Sequence, residues 1–262
     1  GGGNMGFAIA KGIADKNFSS KKDILFIEKS SDRVKFLKKA KFNVRTDFTD
    51  LDFKQIKIII IAVKRKDIEE LLKALNEKIS KNTLVLSIAA GIKINKLSRT
   101  LKDSPIGRVM PNTPCQIGEG INVITFNKKT TNKQKQFTKM IFFFFLEVLE
   151  LNECNFDLVT ALSGSGPAYF AYLIESIVKS GVKLGLDERT SYILSLMTGL
   201  GTTRMLKEIK DLSPKRLREM VTSPNGTTHA AITTLQKYNF EDVIFKAIKA
   251  AKDRSVEMGK NG

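Results

Sequence analysis

The feature that most constrains this chain is its opening, Gly1-Gly2-Gly3-Asn4-Met5-Gly6. Glycines at the first, third and sixth positions suit a strand-to-helix turn. The first makes a tight bend, the second lets backbone approach a diphosphate, and the third lets a helix pack close to a sheet. A helix from Phe7 to about Lys16 would aim unpaired N–H groups and the positive end of its dipole at that anion. The motif therefore predicts a dinucleotide cradle. It also predicts a β-strand ahead of Gly1, and the reading expects a truncation that has removed it.

Beyond this helix the chain alternates in the way such a cradle requires. Asp23–Ile27 reads as a strand and Ser31–Lys41 as a basic amphipathic helix. Ile56–Ala62 is a β-branched run of the kind buried on both faces of a parallel sheet. A helix carrying Ile68, Leu71, Leu72 and Leu75 comes next, then a strand over Thr83–Ile88. Ile94–Leu101 reads as a helix, Ile106–Met110 and Ile121–Phe126 as strands, and Lys133–Phe145 as a helix. Phe142–Phe145 are expected in the core. This alternation predicts an α/β fold, a Rossmann-type doubly wound sheet over residues 1–154.

Beyond about Asn155 the strand signals stop. Pro167 opens an apolar helix (168–174) that should lie in a subunit interface, because a helix apolar nearly all round must be covered. Asp187 can cap the next helix, and Ser213-Pro214 supplies a cap followed by a proline in the first turn. Thr227 or Thr228 begins a fourth, and 241–258 reads as the last. Residues 155–262 are thus expected to form an all-helical domain.

A formal charge of +17 raises the possibility of a nucleic-acid partner. The lysines, however, are spread over every amphipathic segment, with no arginine-rich arm and no basic run interleaved with aromatics. A solvated surface that attracts anionic cofactors accounts for them. No apolar run approaches the about 20 residues of a membrane helix. Two cysteines, Cys115 and Cys154, suit a reducing cytoplasm rather than a disulfide framework. With His229 the only histidine, a histidine-rich metal site is excluded, and neither cysteine has the partners for zinc. Positioned hydroxyls and a cofactor remain, which suits hydride transfer.

Ligands of open α/β sheets bind outside the carboxyl ends of the strands. Those ends read Glu28-Lys29-Ser30, Ala62-Val63-Lys64, Ala89-Ala90-Gly91 and Met110-Pro111-Asn112-Thr113-Pro114. Glu28 lies about 22 residues past Gly6, close to the spacing of an acid on a ribose 2′-hydroxyl. Lys29, Ser30 and Arg33 stand where a 2′-phosphate would be held, so the choice between NADH and NADPH stays open. Two more helix entries, 163–167 (Ser-Gly-Ser-Gly-Pro) and 221–229, could each present N–H groups and hydroxyls to a carboxylate, or simply be caps.

With these residues laid out, the chain resembles the pyrroline-5-carboxylate reductases from Gly1 to its C-terminal end. The segments that carry the resemblance are Val109–Pro114, Thr160–Tyr169 and Val221–Thr228, behind the glycine fingerprint. The resemblance implies reduction of 1-pyrroline-5-carboxylate to L-proline, the last step of proline synthesis, with NADPH or NADH as hydride donor. It implies an intertwined homodimer, often assembled further into a decamer. Carried over residue by residue, Gly1, Gly3, Asn4, Met5, Gly6, Lys29, Ser30, Ala62, Val63, Lys64, Ala89, Ala90 and Asn112 would hold the cofactor. Glu153, Ser223, Gly226, Thr227 and Thr228 would hold substrate, with the Thr228 hydroxyl as the catalytic group against the ring nitrogen. Four positions depart from the family's pattern: Arg65 for proline, Asn225 for glycine, Met220 for an amide side chain, and Leu146 for glycine. A related hydroxyacid dehydrogenase or imine reductase would place a lysine or aspartate donor in the first interdomain helix, where only Lys179 and Lys183 stand, at its far end. A basic Rossmann protein binding nucleic acid is the non-enzymatic alternative.

Overall fold

A computed structural model of the chain describes residues 1–143 and 146–260. Internal contacts divide it into two compact units. One comprises residues 1–165 together with the described residues from 251 on, and the other residues 166–250.

The first unit opens with α1 (Asn4–Asp15), then β1 (Leu25–Ile27), α2 (Ser31–Lys39) and β2 (Asn43–Arg45). It continues through β3 (Ile58–Ile61), α3 (Ile68–Asn76), β4 (Leu84–Ser87), α4 (Ile94–Thr100), β5 (Ile106–Pro111), β6 (Gly120–Phe126), α5 (Asn132–Phe143), β7 (Leu146–Glu150) and the single turn α6 (Phe156–Val159). β1 and β2 pair in parallel as a two-stranded sheet, and β3 to β7 form a five-stranded sheet in sequence order. Period-two alternation divides the core between the two faces of β4. Leu84 and Leu86 pack with Ile9 and Ile13 of α1 and Phe142 of α5. Val85 packs with Ile68, Leu72 and Leu75 of α3 and Leu97 of α4. Helices thus cover both faces, as the alternation requires.

Three details differ from the sequence reading. β6 runs antiparallel to β5, and β7 parallel to β6, so the last two strands oppose the first three. Only residues 112–119 join β5 to β6, too few for the helical crossover of a parallel pair. Ile58–Ile60 are half-buried rather than buried on both sides, because β3 stands at the edge of its sheet with no hydrogen bonds to β1. Of the four consecutive phenylalanines, Phe142 is fully buried and Phe143 is exposed, while Phe144 and Phe145 lie outside the described residues. Successive helix positions point about 100° apart, so one face cannot bury a run.

The second unit holds α7 (Gly166–Lys183), α8 (Glu188–Glu208), α9 (Pro214–Met220) and α10 (Thr227–Lys237). It also holds the start of α11 (Phe240–Lys260), whose last turns belong to the first unit. Caps set the starts: Asp187 accepts the Thr190 N–H at 3.0 Å and the Ser213 hydroxyl accepts the Arg216 N–H at 3.1 Å. α7 and α8 cross closely, since a Cβ on Gly181 would stand 2.6 Å from the Ser191 hydroxyl oxygen. The unit buries little of its own apolar surface. Phe170, Tyr172, Leu173 and Ile177 on α7, and Tyr192, Ile193 and Met197 on α8, are all exposed, and Leu217 is the one large apolar side chain buried among its described residues. Among the described residues no helix is long and apolar enough to cross a membrane.

Ser213 carries the start of α9 alone, so Ser213→Ala is expected to cost about 1 kcal/mol in denaturant unfolding, and Ser213→Asp to recover most of it.

Candidate active site

The glycine loop is shaped by what cannot fit there. A Cβ on Gly1 would stand 2.6 Å from the Ala62 carbonyl oxygen, and one on Gly6 would stand 2.5 Å from the Gly1 carbonyl oxygen. Gly1 and Gly6 thereby bring the start of α1 against Ala62 and Val63 at the end of β3. A Cβ on Gly3, in contrast, would meet nothing within 4 Å. Gly3 is the N-cap residue of α1 and no side chain caps this helix, so its first-turn N–H groups face that open side. Asn4 is exposed beside it, while Met5 packs against the core. An open backbone surface at a positive helix end fits a dinucleotide diphosphate.

The end of β1 closes on the same loop. Glu28 accepts the Gly2 N–H at 2.7 Å and the Ser30 N–H at 2.9 Å. Partial burial works against the charged carboxylate, but the N–H groups of Ser30 and Gly2 outweigh it and hold Glu28 below the usual carboxylate range. Arg33 donates from Nε and Nη2 to the Gly2 carbonyl at 2.9 and 2.6 Å. Lys29 is exposed and pairs with Glu70 at 3.6 Å, a weak contact in solvent. Lys64 is exposed at the end of β3. Ala89 is buried and Ala90 exposed at the end of β4. Asn112 is engaged inside its own turn, where its side-chain oxygen accepts the Ile121 N–H at 3.1 Å. That bond ties the end of β5 to the start of β6, and the turn over 113–117 packs on α1.

Glu153 is bound to a residue the sequence reading passed over. Its Oε1 accepts from Arg108 at 3.0 Å and from the Ile94 N–H at 2.7 Å. Arg108 sits inside β5, only 2% exposed, with its guanidinium 4.7 Å from the ring centre of Phe156 and Nη2 without a partner. A charge inside the apolar run Ile106-Gly107-Arg108-Val109-Met110 is itself the signal that a buried partner must exist. Beside it, the Ser165 N–H reaches the Thr160 carbonyl at 2.8 Å, widening the chain into a π turn over Thr160–Gly164. Such turns cluster at functional sites. Gly164 lets this one approach Met110, since a Cβ there would stand 2.6 Å from the methionine methyl.

Ser223, Gly226, Thr227 and Thr228 lie in the second unit. Asn225 takes the left-handed conformation at φ 58°, and the Gly226 N–H closes on the Ser223 carbonyl at 3.1 Å. A Cβ on Gly226 would stand 2.4 Å from the Ser223 hydroxyl oxygen, so a larger residue there would have to displace that hydroxyl. Gly226 then caps α10 with no side chain supplying an acceptor, which leaves the N–H groups of Thr227, Thr228 and His229 at the helix start for an anion. The Thr228 hydroxyl has no partner among the described residues. An open groove of about 300 Å³ adjoins the turn, lined by Arg218, Glu219, Thr222 and His229 among others.

Residues 153–258 match the family description "pyrroline-5-carboxylate reductase dimerisation", and residues 1–91 match "NADP oxidoreductase coenzyme F420-dependent". A pyrroline-5-carboxylate reductase of Synechocystis sp. is 36% identical, over 99% of this chain and 97% of its own. The chain belongs to the pyrroline-5-carboxylate reductase family. Among solved structures, the Coxiella burnetii reductase superposes with a TM-score of 0.90 at 32% identity, over 98% of this chain and 96% of that one. The Plasmodium falciparum reductase with NADP bound superposes at 0.86 and 32% identity, over 99% and 96%. The Rossmann-type first half and helical second half are those of the family.

Removing the Glu153 carboxylate leaves Arg108 buried without a counter-ion. Glu153→Ala is therefore expected to destabilise the protein by about 3 kcal/mol in denaturant unfolding, with partial recovery in Glu153→Gln. Unchanged stability together with weakened substrate binding would reassign the residue to substrate.

Proposed function

We propose that this protein reduces 1-pyrroline-5-carboxylate to L-proline with NADPH or NADH, the closing step of proline synthesis. Family membership supports the reaction, and the uncapped start of α10 beside a free Thr228 hydroxyl supports the place of the substrate. The relative with NADP bound supports a nicotinamide dinucleotide at the glycine loop. The reading assigns residues 1–154 to the dinucleotide and 155–262 to substrate and dimerisation.

In this reading the substrate carboxylate takes the N–H groups that begin α10, with the Ser223 hydroxyl and Gly226 backbone beside it. Those donors are fixed before substrate arrives, so binding costs little reorganisation. When bound, the reduced nicotinamide supplies hydride to C5 of the ring. The C=N electron pair moves to the ring nitrogen, which takes up one proton, giving a secondary amine. The Thr228 hydroxyl donates a hydrogen bond to that nitrogen and draws electron density from C5. Gly1, Gly3, Asn4, Met5 and Gly6 hold the diphosphate, Lys64 adds a positive charge, and Ala62, Val63, Ala89 and Ala90 line the cradle. Asn112 and Glu153 hold their neighbouring turns in place and act through them. Orientation of this kind can lower a barrier by about 7–11 kcal/mol, so the site needs no strong acid of its own.

Thr228→Ala is expected to lower turnover by about 100-fold, followed as loss of nicotinamide absorbance with pyrroline-5-carboxylate, while cofactor affinity stays nearly constant. Equal loss of cofactor binding would defeat the assignment.

The apolar faces of α7 and α8 support a homodimer in which a second copy covers them, and the match to a dimerisation family supports the same reading. A decamer of such dimers and a cytoplasmic location complete it. Folding tied to association makes the thermal midpoint rise with protein concentration, which calorimetry over a hundredfold dilution series should show. A midpoint independent of concentration would count against the dimer.

A further inference from the structure

The stretch that leaves β3 is fixed at its ends and weakly held between them. Ile61 and Ile68 are both buried. Residues 62–67 between them carry the backbone bonds of their own short turn, such as the Asp67 N–H on the Lys64 carbonyl at 2.9 Å. The ladder from β3 to β4 closes with the Ile88 N–H on the Ile61 carbonyl at 3.1 Å. Beyond it, residues 62–64 and 89–91 exchange no backbone hydrogen bond among the described residues. These are two of the turns assigned above to the dinucleotide cradle. The sheet brings them to one edge and then leaves them without a mutual tie.

One side chain meets both. Arg65 follows directly on Lys64, and its Nη2 donates to the Met258 carbonyl near the end of α11. A Cβ on Gly91 would stand 3.1 Å from Nη1 of Arg65 and 3.7 Å from the Met258 Cβ, so the guanidinium lies between the Gly91 backbone and the helix. Gly91 is left-handed at φ 72°, a conformation that favours glycine, and the missing side chain leaves the guanidinium its place. The Met258 carbonyl is among the last four of α11, where the helix supplies no partner and its dipole favours a cation. The helix end is anchored separately, because the buried Ser255 donates to Asp157 at 2.7 Å. It is a fixed post against which Arg65 sets both turns. Resting on the reading of the cradle proposed above, we propose that Arg65 is a positioning residue for the dinucleotide. It holds the turns after β3 and β4 in their binding shape before the cofactor arrives. Its charge is engaged by the helix, whereas the exposed Lys64 is the one offered to the anion. Turns ordered in advance reduce the ordering cost that binding would otherwise meet.

The test compares the full-length wild type with Arg65→Ala, first by calorimetric titration with NADP⁺. The variant is expected to bind NADP⁺ about tenfold more weakly, and Arg65→Lys, which keeps one cationic donor, to recover part of the loss. Hydrogen exchange on the cofactor-free proteins gives the second readout. Amides of 62–64 and 89–91 should exchange about tenfold faster in Arg65→Ala, while the last turns of α11 stay protected through Ser255. In steady state the KM for the dinucleotide should rise, with kcat and the KM for pyrroline-5-carboxylate nearly unchanged. Unaltered NADP⁺ affinity in Arg65→Ala overturns the proposal. Weaker affinity with unaltered exchange in both turns also overturns it, since Arg65 would then act on the cofactor directly. Should Arg65→Ala fail to fold, Arg65→Met keeps the apolar stem, and the same two readouts decide. Intact turnover with unaltered affinity refutes the role of Arg65 alone. The expected affinity and exchange changes in a protein that does not turn over pyrroline-5-carboxylate uphold that role and refute the reaction.

Discussion

No side chain fits between the start of α1 and the end of β3. Gly1 lies against the Ala62 carbonyl and Gly6 against the Gly1 carbonyl, each closer than any Cβ allows. This contact fixes where the first helix begins, and so where its unsatisfied N–H groups point. Everything assigned to the dinucleotide depends on it. Glu28 reaches the loop because β1 ends beside Gly2, and Ala62 and Val63 line it because β3 ends beneath Gly1. Open backbone toward an anion requires closed backbone toward the sheet, and glycine supplies both within six residues.

A second constraint runs through β5. Burying Arg108 is costly unless its charge is answered, and Glu153, the Phe156 ring and the Ile94 turn answer it together. These contacts bind the start of the helical half to the sheet within one compact unit. The last turns of α11 join the same unit, where the Ser255 hydroxyl donates to Asp157 at 2.7 Å and Arg65 donates to the Met258 carbonyl, one of the helix's terminal acceptors. Arg65 thereby serves a carbonyl at the end of α11 that no backbone N–H of the helix reaches.

Much of this was legible beforehand, for reasons that differ by element. The close glycine turn was readable because glycine spacing reports backbone geometry directly, and the caps at Asp187 and Ser213 because capping is local chemistry. The direction of β6 was not. Strand periodicity carries no polarity, and the decisive fact was the shortness of residues 112–119 against the length of a crossover. The Arg108–Glu153 pair was half legible: a charge within an apolar strand demands a partner, but nothing local says which acid 45 residues away supplies it. Phe143 stands exposed within an apolar run because a helix buries a face and not a run.

The helical unit shows why its own sequence reads so apolar. Its buried positions are mostly small, with Gly166, Ser191 and Ser195 among them, while aromatic and aliphatic side chains of α7 and α8 stand in solvent in the single chain. Small residues at a crossing let two backbones come close, and they leave the large residues facing outward. Roughly 1.5–3 kcal/mol is at stake for each large apolar side chain that a second surface covers. A fold that keeps its big side chains outside has placed its core where another copy must complete it, and the uncapped start of α10 belongs to this unit. In the reading proposed above, association and substrate binding are built from the same helices, so whatever weakens one should be felt by the other.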